Sequence, residues 1–525
     1  WIKEYLESDT TAYDLQKFLS LCGPSVEKVE KFDSDYLLEI EVTSNRIDMA
    51  SAIGIAREAS AILPRFNKRA QFKKRIFSMP KFKEKDYPLV IEDKDRLIKR
   101  SLAVVLDSVE IGESPPHIKK RLEAAGIRSL NNLVDITNYV MLETGHPSHI
   151  FDYDRIKTGK FVLRKANKDE KIVTLDGKSY ALSGEEIIID DGTGRIIDLP
   201  GIMGTENSVV TSSTKRAIFF IDNNDPVAIR KASMRYGIRT MAASYNEKSP
   251  DPETAWTAFI RGLELFKEYA SVKSVGKVHD TYTDPVRPIT IETSNEFICS
   301  KIGVSIDPKD SISILKNLQF QVEAEGDRLK ITPPSFRAAD VQIQEDVVEE
   351  VARIYGYHNL PAVVQKSTYI KQPKEIDQLF ELQQKVKYFL KHLGLNEAIN
   401  YSMFSKETLD KAELKISDHL KIKNPISEEL VYMRRYITPS SILNLKDNEG
   451  KKEVLKLFEI AKGYKPKTGD LPEENYQLSI AVNTSFEDLK GILEALLAEL
   501  NISMFTFKKS SYEIFHPSIQ AEIFV

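Results

Sequence analysis

Cysteine is nearly absent from this chain: two residues in 525, Cys22 and Cys299, far apart and without Cys-x-x-Cys spacing. That scarcity excludes a disulfide-stapled scaffold and a cysteine zinc site, and it points to a reducing, cytoplasmic setting. Long apolar runs are missing too. None approaches the roughly 18 residues that a membrane span requires, and the first residues lack the pattern of a signal peptide. Nor is there an excess of either charge, because 74 Lys and Arg face 78 Asp and Glu for a formal net charge of −4. Bulk charge therefore argues for neither a nucleic acid nor a membrane surface, and any RNA contact has to use local patches. Histidine is scarce at eight residues, which makes the stretch 135–155, "DITNYVMLETGHPSHIFDYDR", stand out for its two histidines three apart, His146 and His149.

The length is too great for one core and predicts several units of roughly 100 to 200 residues each. The fold class expected is multidomain α+β. Residues 1–66 read as a helix-rich N-terminal unit: Thr10 or Thr11 can cap a helix whose apolar stripe is Ala12, Leu15 and Leu19 and which Gly23 can end, and Ile55, Ala59 and Ile62 share one face of a second helix. Residues 67–88, Lys-rich and bounded by prolines, read as a linker. From 89 to 285, β-rich runs such as "RSLAVVLDSV", "FVLRKA", "EEIIID" and "AIFFID" alternate with two good helices, "PPHIKKRLEAAG" and "DPETAWTAFIRGLELFKEYA", which makes one α+β domain. Residues 287–362 form a small helix-turn-helix-like domain, 363–377 a second linker, and 378–525 a domain of helix then strands. The chain stops inside an apparent strand, "QAEIFV", so the expectation is that the native C terminus is missing and that Trp1 is not the native start.

The strongest chemical constellation lies in "FRAADVQIQEDVVEEVARIYG". On a helix, Asp346, Glu349 and Glu350 stand at i, i+3 and i+4 on one face, while Val347, Val351 and Ile354 form the opposite, buried stripe. With Asp340 swinging in from the preceding loop, this is an all-oxygen cluster suited to a hard cation such as Mg²⁺. The same spacing also suits a solvated acidic face with Arg353 as partner, and spacing alone leaves both readings open.

Seven separated stretches then agree. "WIKEYLESD", "LEIEVTSNRIDMASAIGIARE", "RLEAAGIRSLNNLVDITNYVMLETGHPSHIFDYDRI", "PGIMG", "DPVAIRKASMRYGIRT", "PSFRAADVQIQEDVVEEVARIYGYHNLP" and "VLKLFEIAKGY" occur in an order that resembles the β subunit of bacterial phenylalanyl-tRNA synthetase and covers nearly the whole chain. The resemblance implies an (αβ)₂ heterotetramer with the catalytic α subunit, contact with tRNA(Phe), no membrane, and ATP-dependent charging with phenylalanine by the complex. It implies an editing-type domain over 89–285 that hydrolyses mischarged Tyr-tRNA, with Asn138, His149, Thr240 and Ala242 at pocket positions. It assigns the acidic cluster, Asp340, Asp346, Glu349 and Glu350, to a Mg²⁺ site shared with the α subunit. It also makes 378–525 a class II synthetase-like antiparallel-sheet domain, here without catalytic motifs: neither GxxxxGK[ST] nor a G-x-G-x-x-R segment is present. The aminoacylation site is then expected on the partner, with "VYMRRYITPSSI" and "KLFEIAKGY" as sheet against it and Arg434 and Arg435 as surface or interface charges.

Departures from the family pattern bear on editing. Phe220 stands where the family has a glutamate that reads the tyrosine hydroxyl, Met241 replaces an acid and Asn246 an aromatic, and Asp222 can substitute for the lost acid only if the strand register shifts. A site that loses its polar partner loses most of its discrimination, so weak or absent editing is expected. The arginine before Asp340 is one residue further away than in the family. An OB-fold insert expected before "LEIEV" is replaced by "SVEKVEKFDSDY", and the C-terminal anticodon-binding domain is absent; either the protein is reduced or the sequence omits segments. The competing function is a stand-alone RNA-binding or architectural module derived from this subunit.

Overall fold

The computed structural model describes residues 1–364, 370–512 and 515–525 and divides into two compact units, Trp1–Val363 and Val364–Val525. In the first unit β1 (Leu6–Ser8) leads into α1 (Ala12–Cys22). Thr11 caps α1, accepting from the Asp14 backbone N–H while the Asp14 carboxylate accepts from the Thr11 N–H. This reciprocal capping box fixes the start of the helix where hydroxyl-bearing residues precede the apolar stripe. A long hairpin follows, β2 (Ser25–Phe32) and β3 (Asp35–Glu41), then α2 (Ala52–Ile62) and β4 (Ala70–Phe72), which pairs with β1. The bridging stretch "SVEKVEKFDSDY" is therefore β2 and the hairpin turn. The expected linker 67–88 carries β4, the buried Phe77 and β5 (Lys83–Glu84).

Next come β6 (Val90–Glu92), β7 (Ile98–Asp107), α3 (Pro116–Ala124), α4 (Asn132–Thr144), β8 (His149–Asp152), β9 (Lys160–Lys165), β10 (Lys171–Val173), β11 (Ser179–Ala181), β12 (Ile187–Asp190), β13 (Ile196–Leu199), β14 (Met203–Gly204), β15 (Arg216–Asn224), α5 (Pro226–Tyr236), α6 (Met241–Asn246), α7 (Pro252–Tyr269), β16 (Ser274–Val275) and β17 (His279–Tyr282). They build two sheets, one ordered β14-β13-β12-β9-β6 and one ordered β5-β16-β7-β15-β8 with β17 also on β7. α7 and α4 cover one face of the second sheet, where Phe219 stacks on Phe259. The opposite face meets the first sheet through Phe151, Phe161, Ile189, Ile197, Ile218 and Phe220. Alternate residues of β15 thus serve two cores, as strand periodicity requires.

The segment after β17 runs β18 (Ile291–Ser294), α8 (Asn295–Ile302), α9 (Pro308–Asn317), β19 (Gln321–Glu325), β20 (Arg328–Thr332) and α10 (Gln344–Tyr355). Its helices are accompanied by a three-stranded sheet, β18-β20-β19, which the helix-turn-helix expectation did not include. Val347, Val351 and Ile354 of α10 share one hydrophobic core with Leu15 and Leu19 of α1 and Ile55, Ala59 and Ile62 of α2. The two ends of this unit, expected as separate domains, are packed as one.

The second unit contains α11 (Lys374–His392), β21 (Asn396–Glu397), β22 (Met403–Phe404), α12 (Lys406–Lys411), β23 (Tyr432–Met433), α13 (Thr438–Asp447), β24 (Lys456–Lys465), β25 (Glu473–Val482), α14 (Phe486–Glu499), β26 (Thr506–Lys509) and β27 (Ala521–Phe524). Val386 and Leu390 of α11 pack with Phe458, Ile492 and Leu496 over the β21-β24-β25 sheet. Of the stretch "VYMRRYITPSSI", only Tyr432–Met433 is strand, and its end begins α13. The expected linker 363–377 includes 365–369, which lie outside the described residues, and its last residues belong to α11.

Candidate functional site

The four carboxylates expected to gather around a cation do not converge. Asp346 is spent on its own backbone, accepting from the N–H groups of Gln342 at 2.7 Å and Ile343 at 3.0 Å at the start of α10. Glu349 is exposed. Glu350, with 2% exposure, is enclosed by two guanidinium groups: Arg337 donates from Nη1 to Oε2 at 2.9 Å and from Nη2 to Oε1 at 2.8 Å, and Arg353 donates from Nε to Oε1 at 3.0 Å and from Nη2 to Oε2 at 2.5 Å. Arg337 also donates to Asp340 Oδ2, whose other oxygen accepts from Asn45 Nδ2 at 2.9 Å. Burial works to raise the Glu350 carboxyl, but Arg353 and Arg337 outweigh it and hold the group well below the usual carboxylate range. Among the described residues no three His, Cys, Asp or Glu side chains form a possible metal donor set. The residues do not fit a Mg²⁺ site on this chain, because arginine already supplies the positive charge that the cluster needs.

The same arginines tie α10 to the N-terminal elements. Arg353 pairs with Glu58 of α2, Arg46 reaches Glu58 Oε2 at 3.0 Å and Asp48 Oδ1 at 2.9 Å, and Arg57 reaches Asp48 Oδ2 at 3.3 Å while its guanidinium lies 3.5 Å from the ring centre of Phe336. Four arginines thus balance Asp48, Glu58, Asp340 and Glu350 in one continuous network. Helix spacing points to Arg353 as an acid partner but not to Arg46, Arg57 or Arg337, since a sequence pattern carries no sign of contacts 295 residues apart such as Arg353 to Glu58.

The editing-type positions fall around β8 and β15. His149 is the register partner of Phe220, and its ring lies over Gly204, where a Cβ would approach Cε1 to 2.8 Å. Burial pushes the His149 imidazole down to about 4, so it is neutral at physiological pH. Phe220 is fully buried, edge-on to Phe161 at 5.5 Å and Phe151 at 6.0 Å. It is a core residue between the two sheets and not a wall of an open pocket. Thr240 caps α6, accepting from the Ala243 N–H at 3.0 Å and donating to the Ile202 carbonyl at 2.7 Å, which leaves its hydroxyl engaged. Asn138 is half-buried on α4, Ala242 half-buried on α6, and Met241 exposed. His146 is held between the Pro147 carbonyl and Asn223 Nδ2, each at 2.9 Å. Since the Asn223 amide donates to Nε2, Nδ1 carries the proton given to Pro147. Two residues beyond Phe220, on the same face of β15 in its observed register, lies Asp222, which is buried. The sequence places Asp222 there only through a shifted register, whereas the observed register puts it on that face directly.

Comparison with known proteins decides the kinship. Residues 97–271 match the family model for the B3/4 domain, 291–357 that for the tRNA synthetase B5 domain, and 360–525 that for the phenylalanyl tRNA synthetase beta chain CLM domain. The phenylalanine–tRNA ligase beta subunit of Clostridium acetobutylicum is 35% identical over 511 residues, covering 95% of this chain and 64% of that protein; the one of Clostridium tetani is 36% identical over 519 residues, covering 96% and 64%. The chain belongs to the phenylalanine–tRNA ligase β-subunit family. It spans about 64% of the length of these relatives. An N-terminal fragment of the phenylalanyl-tRNA synthetase β subunit from Pyrococcus horikoshii is similar at 16% identity, covering 67% of this chain and 99% of the fragment with a TM-score of 0.38, too distant a likeness to carry an argument.

In this phenylalanine–tRNA ligase β-subunit family member, the region that matches the CLM model corrects one expectation. Arg434, expected as a surface or interface charge, is instead 2% exposed and donates from Nη1 to Glu459 Oε1 at 2.9 Å. That pair fastens the segment before α13 to β24. Arg435 keeps partial exposure and lies 3.5 Å from Asp418. No described helix of the chain is long and apolar enough to cross a membrane.

Proposed function

We propose that this chain is the scaffolding and tRNA-contacting part of a phenylalanine–tRNA ligase, and that it works with a catalytic α subunit in an (αβ)₂ heterotetramer. The order of the B3/4, B5 and CLM regions along one chain carries the reading. Supporting it, the CLM region has no phosphate-gripping motif, and its surface bears large uncovered apolar side chains, among them Phe380, Ile399, Tyr401 and Met504. Apolar exposure of this kind suits an obligate interface. ATP and Mg²⁺ then serve the charging reaction on the α partner, which activates phenylalanine and passes it to tRNA(Phe).

On this chain the tasks are positional. The arginine–carboxylate network fixes the B5 region against α1 and α2, so that the surfaces offered to tRNA and partner keep one geometry. The B3/4 region is an editing-type domain whose tyrosine discrimination is weak, because Phe220 offers no acceptor to a hydroxyl. The test is ATP-dependent formation of Phe-tRNA(Phe) by the chain and an α chain, each alone and mixed. Charging by the mixture alone supports the reading; no gain over the α chain alone refutes it.

A further inference from the structure

Eight basic residues and one acid fall between Lys68 and Lys85, "KRAQFKKRIFSMPKFKEK", in a chain whose formal net charge is −4. A free linker of this composition would extend and spread its charges through water. The structure pins it instead. Phe72 and Phe77 pack on the core shared by α1, α2 and α10, Phe82 on the core beneath α7, and Tyr87 on the core between the sheets that hold β9 and β15. β4 and β5 hydrogen-bond the segment to β1 and β16. It is a strap, fixed by an aromatic side chain at every fifth position and carrying its charges on the outside.

Two further lysines join it. Lys267 of α7 donates from Nζ to the Lys81 carbonyl at 2.8 Å, and the Lys83 N–H donates to the Lys273 carbonyl at 3.4 Å. Lys73, Lys74, Lys81, Lys83, Lys267 and Lys273 are all exposed. Among the described residues none of these six pairs with a carboxylate, whereas Lys68, Arg69, Arg75 and Lys85 of the same strap find Asp14, Glu7, Glu264 and Asp107. Uncompensated cations held along one pinned segment repel each other, and a polyanion laid on them removes that repulsion while it releases its own counterions. Lysine is depleted where proteins meet proteins, and surfaces that meet nucleic acid are strongly positive, so the row favours RNA over an acidic protein.

We propose that the strap, with Lys267 and Lys273 beside it, is a surface for an RNA backbone that grips phosphates without reading sequence. An ammonium on a flexible stem is a point charge; it meets a phosphate well and carries no fork with which to select a base. The choice of RNA rests in part on the reading of the chain as part of a tRNA ligase. The surface itself takes tRNA(Phe) and other folded RNA alike.

The full 525-residue chain is titrated by fluorescence anisotropy with labelled tRNA(Phe) and with an unrelated folded RNA of equal length. Salt is varied from about 50 to 200 mM potassium chloride, the range over which phosphate contacts declare themselves. Lys73→Gln, Lys74→Gln, Lys81→Gln and Lys83→Gln combined should weaken both RNAs by at least about tenfold and flatten the slope of log affinity against log salt by about 3, the loss of four phosphate contacts. Lys267→Gln with Lys273→Gln, off the strap itself, should flatten it by about 1.5. Lys119→Gln, Lys168→Gln, Lys215→Gln and Lys316→Gln combined remove the same charge from exposed positions elsewhere and should change the slope by less than about 1. No binding by the parent, unchanged binding in the strap variants, or an equal loss in this control overturns the proposal. So does a loss confined to tRNA(Phe), or a loss of poly-L-glutamate binding with RNA binding intact. Charging of tRNA(Phe) by the mixture with an α chain is scored separately: RNA binding that responds as expected without charging leaves the surface standing and defeats the ligase reading, and charging with RNA binding indifferent to the strap does the reverse.

Discussion

Arg337 and Glu350 face each other through two parallel hydrogen bonds of 2.9 and 2.8 Å, a fork-to-carboxylate pair almost wholly out of solvent. The pair binds the loop before α10 to the helix itself, and through Arg353 and Glu58 binds both to α2. Removing one partner of such a pair leaves a buried charge uncompensated, at a cost of about 3 to 5 kcal/mol. Arg337→Met should therefore lower stability by that order in urea denaturation, while Glu349→Gln, at an exposed position, should change it by less than about 0.5 kcal/mol. Treatment with EDTA should leave the parent's unfolding midpoint unchanged, because the positive charge at the cluster is covalent.

The same pair sets an acid limb. Glu350 is held below its unfolded value by Arg353 and Arg337 against the opposing effect of burial. A depressed carboxyl contributes stability that is complete above the unfolded pKa, roughly 4.3, and is lost as pH falls toward the folded one. Stability measured between pH 6 and pH 3 should fall more steeply in the parent than in Glu350→Gln, which starts lower and has no such proton to take up.

Asp222 runs the other way. Burial pushes its carboxyl up to about 6. A raised acid contributes stability present below its unfolded pKa and lost as pH rises through the folded one, so the parent should lose stability between about pH 4 and pH 6. Asp222→Asn should remove that decline and be more stable than the parent at pH 7, by up to roughly 3 kcal/mol for a shift of this size. Urea denaturation of both proteins across this range checks it.

Clearance of Tyr-tRNA(Phe) by the αβ complex should be slow, and His149→Ala should alter it little. Rapid clearance by the parent and none by the variant would mean that Phe220 yields and that the site discriminates after all.

Gly54 offers a steric test. In the first turn of α2 a Cβ there would meet the Asp48 carbonyl oxygen at 2.0 Å and its carbon at 2.9 Å, backbone atoms that cannot swing aside. Gly54→Ala should displace the loop that carries Arg46 and Asp48 and destabilise the first unit by more than about 2 kcal/mol, seen as a lower unfolding midpoint.

Much of this was legible where the signal is local. The Thr11 cap, the stripe of α1 and the apolar face of α10 follow from side-chain spacing, and the β runs of "RSLAVVLDSV" and "AIFFID" are the observed β7 and β15. α4 was not, since Ile136, Tyr139, Val140 and Met141 bury nearly its whole circumference and blur the amphipathic period. The spacing of "DVVEE" predicts the helix of α10 but an open acidic face, because nothing in it reveals that Arg337 will close on Glu350. Arg434 illustrates the same limit: a doublet of arginines reads as surface, and only the fold supplies Glu459.

The mass of the intact assembly tests the central claim most directly. The chain, 59.7 kDa by itself, is co-expressed with a phenylalanyl α chain, purified through a tag on the α chain and weighed by native mass spectrometry. A species containing two copies of each chain is the predicted result. Recovery of the α chain without this one, with this chain a free monomer, would contradict it.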